Sequence, residues 1–334
     1  MEKKSGDILQ IQDILPVPIE PIVIDTGKDK VSPIKKRLIE NAVEIITDPA
    51  KIDDAMFQHS IFCQTYLPYK DPGLNVTVWE QKQGNASLAI QTFQVKNPIT
   101  DEWVQVGLPY GTRARLILAY INTQAIKAQS QVIDVEEHLA GFVKKLGLLK
   151  NGRTVEEIKE QIRRITASLI TLGFKQENSY IPINFGIVKA FDLWFPKDDK
   201  HKVLWTSKIS LTDDYFNSLV KHAIPLDERT IGALSHSPMA MDVYTWLVQR
   251  LHRIPQNTRQ FITWQQLKEQ FGQGYNRMDN FKSAFRSVLT VVLTQYFEAR
   301  HSIEEDKNKG FYLKNAPTPI DKKIFAIPEI KIKE

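Results

Sequence analysis

The chain has 334 residues, 42% hydrophobic and 25% charged, with a net charge of +5 and a pI near 9.0, enough to bury the cores of two domains of ordinary size. A single cysteine, Cys63, excludes an internal disulfide framework and a multi-cysteine zinc site and is expected as a small buried hydrophobe. No apolar run reaches bilayer length and the N-terminus lacks a signal-peptide pattern, so a cytoplasmic protein without membrane contact is expected.

Residues 1–32 hold Pro16, Pro18 and Pro21 in an Ile/Val-rich but otherwise polar run, which predicts an extended or disordered arm. Between 76 and 94, VTVWEQ and SLAIQTF alternate around QGN, the pattern of a hairpin turning on glycine and asparagine. A helix is expected over 112–128, with Leu116, Ala119, Tyr120 and Thr123 inward, and a second over 135–146, followed by the turn GLLKNGR. Thr154 would cap a third helix that buries Val155, Ile158, Ile162, Ile165 and Leu169. Strand-like FGIVKAFDLWF and a hairpin at PKDDKHK complete this half. The third helix is expected to turn Glu157, Glu160 and Arg164 outward, with Glu156 and Arg163 alongside at salt-bridging spacing. Carboxylates repel phosphates, which favours a solvated or partner-facing surface over base contact. Lys159, Arg163 and Arg164 are the residues there suited to anchoring a nucleic-acid backbone.

The second half repeats this plan more clearly. Ser237 and Pro238 start a helix that buries Val243, Leu247 and Leu251 and ends before Pro255. Thr263 and Gln266 form a capping box for a short helix packed through Trp264, Leu267 and Phe271 and stopped at Gly272. The long helix that follows, over 277–294, repeats Met278, Phe281, Phe285, Val288 and Val292 on one side. Asn280, Ser283, Arg286 and Ser287 point the other way, and their donors and acceptors suit base edges in a major groove. Arg277 and Lys282 flank that row, where phosphates would lie. Strand-like residues on both sides of EDKNKG form a wing with Lys307 and Lys309 near its tip. From 250 to 300, eight bases (Arg250, Arg253, Arg259, Lys268, Arg277, Lys282, Arg286, Arg300) face three acids (Glu269, Asp279, Glu298), a local +5 equal to that of the whole chain. Residues 320–334 alternate apolar and charged positions and are expected as a loose basic tail.

Enzyme chemistry finds little footing. There is no G-x-x-x-x-G-K-[ST] loop, and FGQGYNR lacks the strand context of a dinucleotide site. The seven histidines show no metal-site spacing. The acids at Asp134, Glu136, Glu137 and 304–306 sit at turns and helix starts, where solvation is expected. The six tryptophans are expected in the core rather than stacked on single-stranded bases. A non-enzyme without cofactor or metal is the expectation.

The run SPMAMDVYTWLVQRL, with ITWQQLKEQFG, NFKSAFRSVL and GFYLKNAPTP, resembles the C-terminal half of plasmid replication initiators of the RepA type. Upstream, VGLPYGTRARLILAYINTQAI, GFVKKLGL and EQIRRI resemble their N-terminal half, and the motifs keep their order from about residue 56 to 319. The resemblance implies an α+β chain of two tandem winged-helix domains, each a helix-turn-helix with a β-hairpin wing, at 33–205 and 206–319. It implies binding to double-stranded DNA at iteron repeats of a plasmid origin, opening of an A·T-rich segment, and recruitment of host replication proteins such as the replicative helicase. It further implies a homodimer, in the absence of DNA, that can repress its own promoter. The second-domain helix would read bases, and the first domain would divide its surface between dimerisation and phosphate contact. Thr290 and Val291 depart from a part of that helix that is often basic in relatives, which leaves base contact to Asn280, Ser283, Arg286 and Ser287. A winged-helix transcription regulator without a role in replication is the alternative, and a metal-dependent nuclease a more distant one.

Overall fold

The computed structural model describes residues 32–96, 101–135, 144, 152–176, 179–184, 186–191 and 207–320. Almost all of the expected arm, the PKDDKHK hairpin, most of the GLLKNGR turn, almost all of the expected second helix and most of the tail lie outside these residues.

Helix α1 (Pro33–Thr47) opens with Ser32 as N-cap, its hydroxyl accepting the Lys35 N–H, and with proline at the first helical position. Strand β1 (Ala55–His59) is buried throughout. The hairpin of β2 (Val78–Gln83) and β3 (Ala86–Thr92) turns at Gly84, whose φ of 55° favours glycine. A short ribbon of β4 (Gln94–Lys96) and β5 (Trp103–Gln105) follows. Trp103 there is 66% exposed, against the expectation of burial; among the described residues this ribbon pairs with no further strand.

Helix α2 (Gly111–Ala128) is buried on nearly every side and so shows no single apolar stripe. Strand β6 (Val132–Val135) ends at the residue expected to start a helix. Helix α3 (Gly152–Thr166) begins two residues before the expected cap. Leu169, expected on this helix, lies in β7 (Ser168–Gln176), which pairs with β8 (Ser179–Asn184). Strands β9 (Val188–Phe191) and β10 (Ser207–Leu211) close the first half.

The second half contains α4 (Asp213–His222), β11 (Ala223–Asp227), α5 (Glu228–Leu234) and α6 (Pro238–Leu251). Strand β12 (Arg259–Thr263), α7 (Trp264–Phe271), α8 (Met278–Gln295), a 3-10 turn over Phe297–Ser302, β13 (Ile303–Asp306) and β14 (Gly310–Lys314) complete it. Ser237 caps α6, and the Thr263–Gln266 capping box forms in both directions.

One topology occurs twice. In each half a buried helix (α2, α6) leads to a strand (β6, β12), later to a further helix (α3; α8, which follows the short α7), and ends in two strands of which the last lies in the middle of an antiparallel sheet. The orders are β6–β10–β9 and β12–β14–β13. Ile209 sits between Ile133 and Phe191, as Leu313 sits between Gln260 and Ile303. The first half differs by inserting β7 and β8, which extend the β2–β3 hairpin into a four-stranded sheet.

The expected boundary at 205/206 is bridged by three structures. Strand β1 pairs with β11, matching Ala55 with Asp227 and His59 with Ala223. Helix α1 packs on α5 and α8, where Asn41 donates to the Gln295 side chain at 2.7 Å and Arg37 donates to the Ala233 carbonyl at 3.0 Å. Beneath them, Arg115 of α2 makes a bidentate pair with Asp242 of α6, both bonds 2.7 Å. Arg115 also donates to the carbonyls of Leu67, Pro68 and Gly111, so the buried guanidinium is fully engaged. Burial pushes the Asp242 carboxyl up to about 6 against the pull of Arg115.

Candidate nucleic-acid interface

Helix α8 is held from one side. Phe281, Phe285, Leu289 and Val292 are buried at spacings of four, four and three residues. Val288, expected in this stripe, is half-buried, and Leu289 occupies the inner position. The helix rests on an aromatic cluster centred on Trp264, the first residue of α7. The Trp264 ring lies 5.9 Å from Phe285 and 4.9 Å from Phe311, edge to face, and Phe281 lies 5.6 Å from Phe285. Edge-to-face packing of this kind adds about 0.5–1.5 kcal/mol per pair beyond area burial. Because one side carries the packing, the other is free to be polar.

That other side is open. Asn280, Ser283 and Ser287 are exposed, three and four residues apart, on a helix roughly 27 Å long at 1.5 Å per residue. Ser287 donates to the Ser283 carbonyl at 3.1 Å. Arg277, the N-cap residue, is exposed and 3.4 Å from Asp279, an ion pair too solvated to constrain it. Lys282 is half-buried, its ammonium 5.4 Å from the centre of the Trp264 ring.

Arg286 is placed differently from the rest of the row. Its Nε and Nη2 donate to one oxygen, Oε1 of Glu305, at 2.9 and 2.7 Å, and its guanidinium carbon lies 4.9 Å from the Trp264 ring centre. Glu305 comes from β13, so the long helix and the hairpin are tied together at this point. The carboxylates at 304–306 are therefore not simply solvated, as their sequence position suggests. Glu304 is 3.6 Å from Lys314, and Asp306 accepts N–H bonds from Asn308 and Lys309 to close the hairpin turn.

The hairpin tip exposes Lys307 and Lys309. Its inner end is fixed at Gly310, where a Cβ would overlap the carbonyl oxygen of Ile262. The Lys309 carbonyl accepts the Trp264 N–H at 3.0 Å, so the tip is anchored to the start of α7.

In the first half, α3 occupies the position that α8 occupies in the second, and its arginines behave otherwise. Arg164, expected on the outward face, is buried. It pairs with both oxygens of Asp71 at 3.0 and 2.9 Å and with Glu160 at 2.7 Å, donates to the Leu108 carbonyl, and stacks on Tyr110. Burial alone would lower its pKa, but the bonds from Asp71 and Glu160 outweigh that and raise it. Gly107 leaves room for it, since a Cβ there would sit 2.8 Å from Nη1. Arg164 thus holds the loops around 71 and 108 to the helix, with its side chain 8% exposed. Lys159 and Arg163 are half-buried beside Glu156 and Glu160, at 3.0 and 3.8 Å.

The local positive charge is likewise partly internal. Arg250 lies over Trp246, and Arg300 donates to the Leu293 carbonyl over Phe297; burial lowers the pKa of both. A cavity of about 30 Å³ lies beside Arg115 and Asp242, lined also by Gln58, Thr65 and Met241. It has the scale of a water site, not of a cofactor pocket. Among the described residues no group of three or more His, Cys, Asp or Glu could hold a metal ion, and no helix is long and apolar enough to cross a membrane.

Sequence reading missed Glu305 as the partner of Arg286 and Asp71 as the partner of Arg164. Each lies far from its arginine in sequence, and no periodicity marks it.

These elements define an α+β protein that presents a polar helix face and a hairpin whose tip carries Lys307 and Lys309. Residues 108–266 match the family model RepA_C, described as plasmid encoded RepA protein. No curated protein matches the chain. Among solved structures, a crystal structure of domains 2 and 3 of RctB aligns with a TM-score of 0.47 at 9% identity, covering 78% of this chain and 99% of that one. A second structure of RctB domains 2–3 aligns with a TM-score of 0.43 at 10% identity, covering 75% and 85%.

Proposed function

We propose that this protein is a plasmid replication initiator that binds iteron repeats in double-stranded DNA through two tandem winged-helix units. In this reading α8 enters a major groove, β13–β14 is its wing, and α3 with β9–β10 forms the corresponding unit of the first half. The observation that carries the reading is the open row of Asn280, Ser283 and Ser287 on α8, beside the exposed Lys307 and Lys309. Asparagine pairs bidentately with adenine, serine accepts or donates to either base of a pair, and arginine pairs with guanine. Lysines at the wing tip supply salt-dependent, sequence-independent affinity.

Two units on one chain lengthen the site beyond what one helix reads, which suits direct repeats. Binding there opens the neighbouring A·T-rich segment and brings in the host helicase, and a homodimer formed away from the repeats represses the protein's own promoter. The work is done in the cytoplasm by binding energy, without cofactor, metal or bond cleavage.

Footprinting of the purified chain on its plasmid origin tests this. Protection of tandem direct repeats, spaced by about one to two helical turns and adjacent to an A·T-rich stretch, is the expected result. Protection of a lone palindrome would replace the initiator by a transcription regulator, and metal-dependent strand cleavage would replace both.

A further inference from the structure

We propose that Glu305 is a positioning residue for base readout, presenting the guanidinium of Arg286 end-on to a guanine. This rests on the reading of α8 as the groove helix. A guanidinium carries five N–H groups in a rigid plane: one on Nε and two on each Nη. Glu305 Oε1 takes the Nε–H and one Nη2–H, which together form one side of the fork. Both N–H groups of Nη1 and the second of Nη2 stay unbonded among the described residues; one Nη1–H and the outer Nη2–H together form the end edge of the plane, and the other Nη1–H points back toward Cδ. With the Nε/Nη2 side taken by Glu305, that end edge is the donor pair left to meet O6 and N7 of guanine bidentately.

The plane is also held from below. Trp264, itself buried, lies 4.9 Å under the guanidinium carbon, and Lys282, one turn earlier on α8, shares the same ring at 5.4 Å. The Arg286 side chain is nevertheless 41% exposed and Glu305 26% exposed, so the pair sits at the rim and not in the core. An arginine fixed in this way has its orientation set before DNA arrives, which reduces the conformational freedom lost on binding. The carboxylate has an opposing effect, because a negative charge at the groove repels phosphate. A device that weakens general DNA affinity while aiming one donor pair is a device for discrimination.

The two effects separate in experiment. Preferred sites would be selected from a random duplex library with the full chain. Fluorescence anisotropy would then measure affinity for each single-base variant of the site and for an unrelated duplex. Glu305→Ala is expected to lose roughly tenfold preference for guanine at one position, with affinity for the unrelated duplex equal or higher. Arg286→Lys keeps the charge over Trp264 without the planar fork and should lose preference at that same position. The double variant should lose no more than either single one.

A Glu305→Ala protein with unchanged preference at every position overturns the proposal, as does one that loses specific and unrelated binding in equal measure. If Glu305→Ala does not fold, Arg286→Lys decides: retained preference at every position overturns it. Asn280→Ala separates this failure from that of the underlying reading. A selectivity change in Asn280→Ala alone removes only the role of Glu305, whereas no change in any of these variants removes α8 from the groove.

Discussion

Helices α3 and α8 hold comparable places in the two halves, each followed in the chain by the two strands that complete a three-stranded sheet of the same order, with β7 and β8 inserted after α3, yet they use their arginines in opposite ways. On α3, Arg164 turns inward and joins Asp71, Glu160 and the Leu108 carbonyl into one buried node. On α8, the inward positions are aromatic and Arg286 stays at the rim, tied to Glu305 at one edge. The difference shows that position in a scaffold does not assign a role. On α8 the buried side is filled by aromatic and aliphatic side chains, whereas on α3 Arg164 is buried alongside Ile158, Ile162 and Ile165.

The largest effect is expected where both halves meet. Arg115→Ala leaves Asp242 buried without a partner and should cost about 3–5 kcal/mol in chemical denaturation. Combining Arg115→Met with Asp242→Leu should recover most of this, and failure to recover would show that the carbonyl bonds to Leu67, Pro68 and Gly111 matter more than the charge pair. Gly310→Ala forces the backbones of β14 and β12 apart and should cost on the order of 3 kcal/mol, read as a lowered melting temperature.

The contrast between the helices is sharpened by Arg164→Ala, which should lose about 2–3 kcal/mol of stability by freeing Asp71 and Glu160, with the salt slope of DNA binding unchanged. A reduced slope would instead mean that Arg164 reaches a phosphate. Lys309→Ala should do the reverse, lowering the slope by about 0.9 with stability unaffected. Asn280→Ala should weaken specific binding by about 1–3 kcal/mol and relax preference at one base pair.

The smallest effect at neutral pH concerns His59, which burial, and then the neighbouring His222, lower to about 3. It is held neutral, with Nδ1 accepting the Ile61 N–H and Nε2 3.0 Å from the Ser218 hydroxyl, and its ring faces Tyr215 and His222. A folded-state pKa below the ordinary 6.5 gives a contribution fully present above pH 6.5 and lost as pH falls toward 3. Asp242 runs the other way: with a folded value of about 6, its share is present below about pH 4 and lost as pH rises through 6. His59→Gln should therefore flatten the acid limb of stability against pH, and Asp242→Asn should steepen it between 4 and 6.

Much of the second half was legible because its signals are local. Ser237 before Pro238, Thr263 with Gln266, the four-residue spacing of Phe281 and Phe285, and the polar turn at 306–309 each need only a few neighbouring residues. The same Ser–Pro signal stands at Ser32 and Pro33 and marks α1, but it follows a proline-rich arm and α1 shows no fully buried position. Helix α2 hid its inner face by being buried all round. The open row at Asn280, Ser283 and Ser287 was readable from the wheel; the partners of Arg286, Arg164 and Arg115 were not. Those pairings span 19, 93 and 127 residues, and nothing in a linear pattern tells a solvated arginine from one folded inward.

The pairing of β1 with β11 bears on how such a chain can be divided. A break near residue 205 would strand His59 and its neighbours on one fragment and their ladder partners on the other, exposing hydrogen-bonding edges and a lone carboxylate together. The halves, for all their shared topology, thus share a strand ladder and a buried ion pair across the point of division.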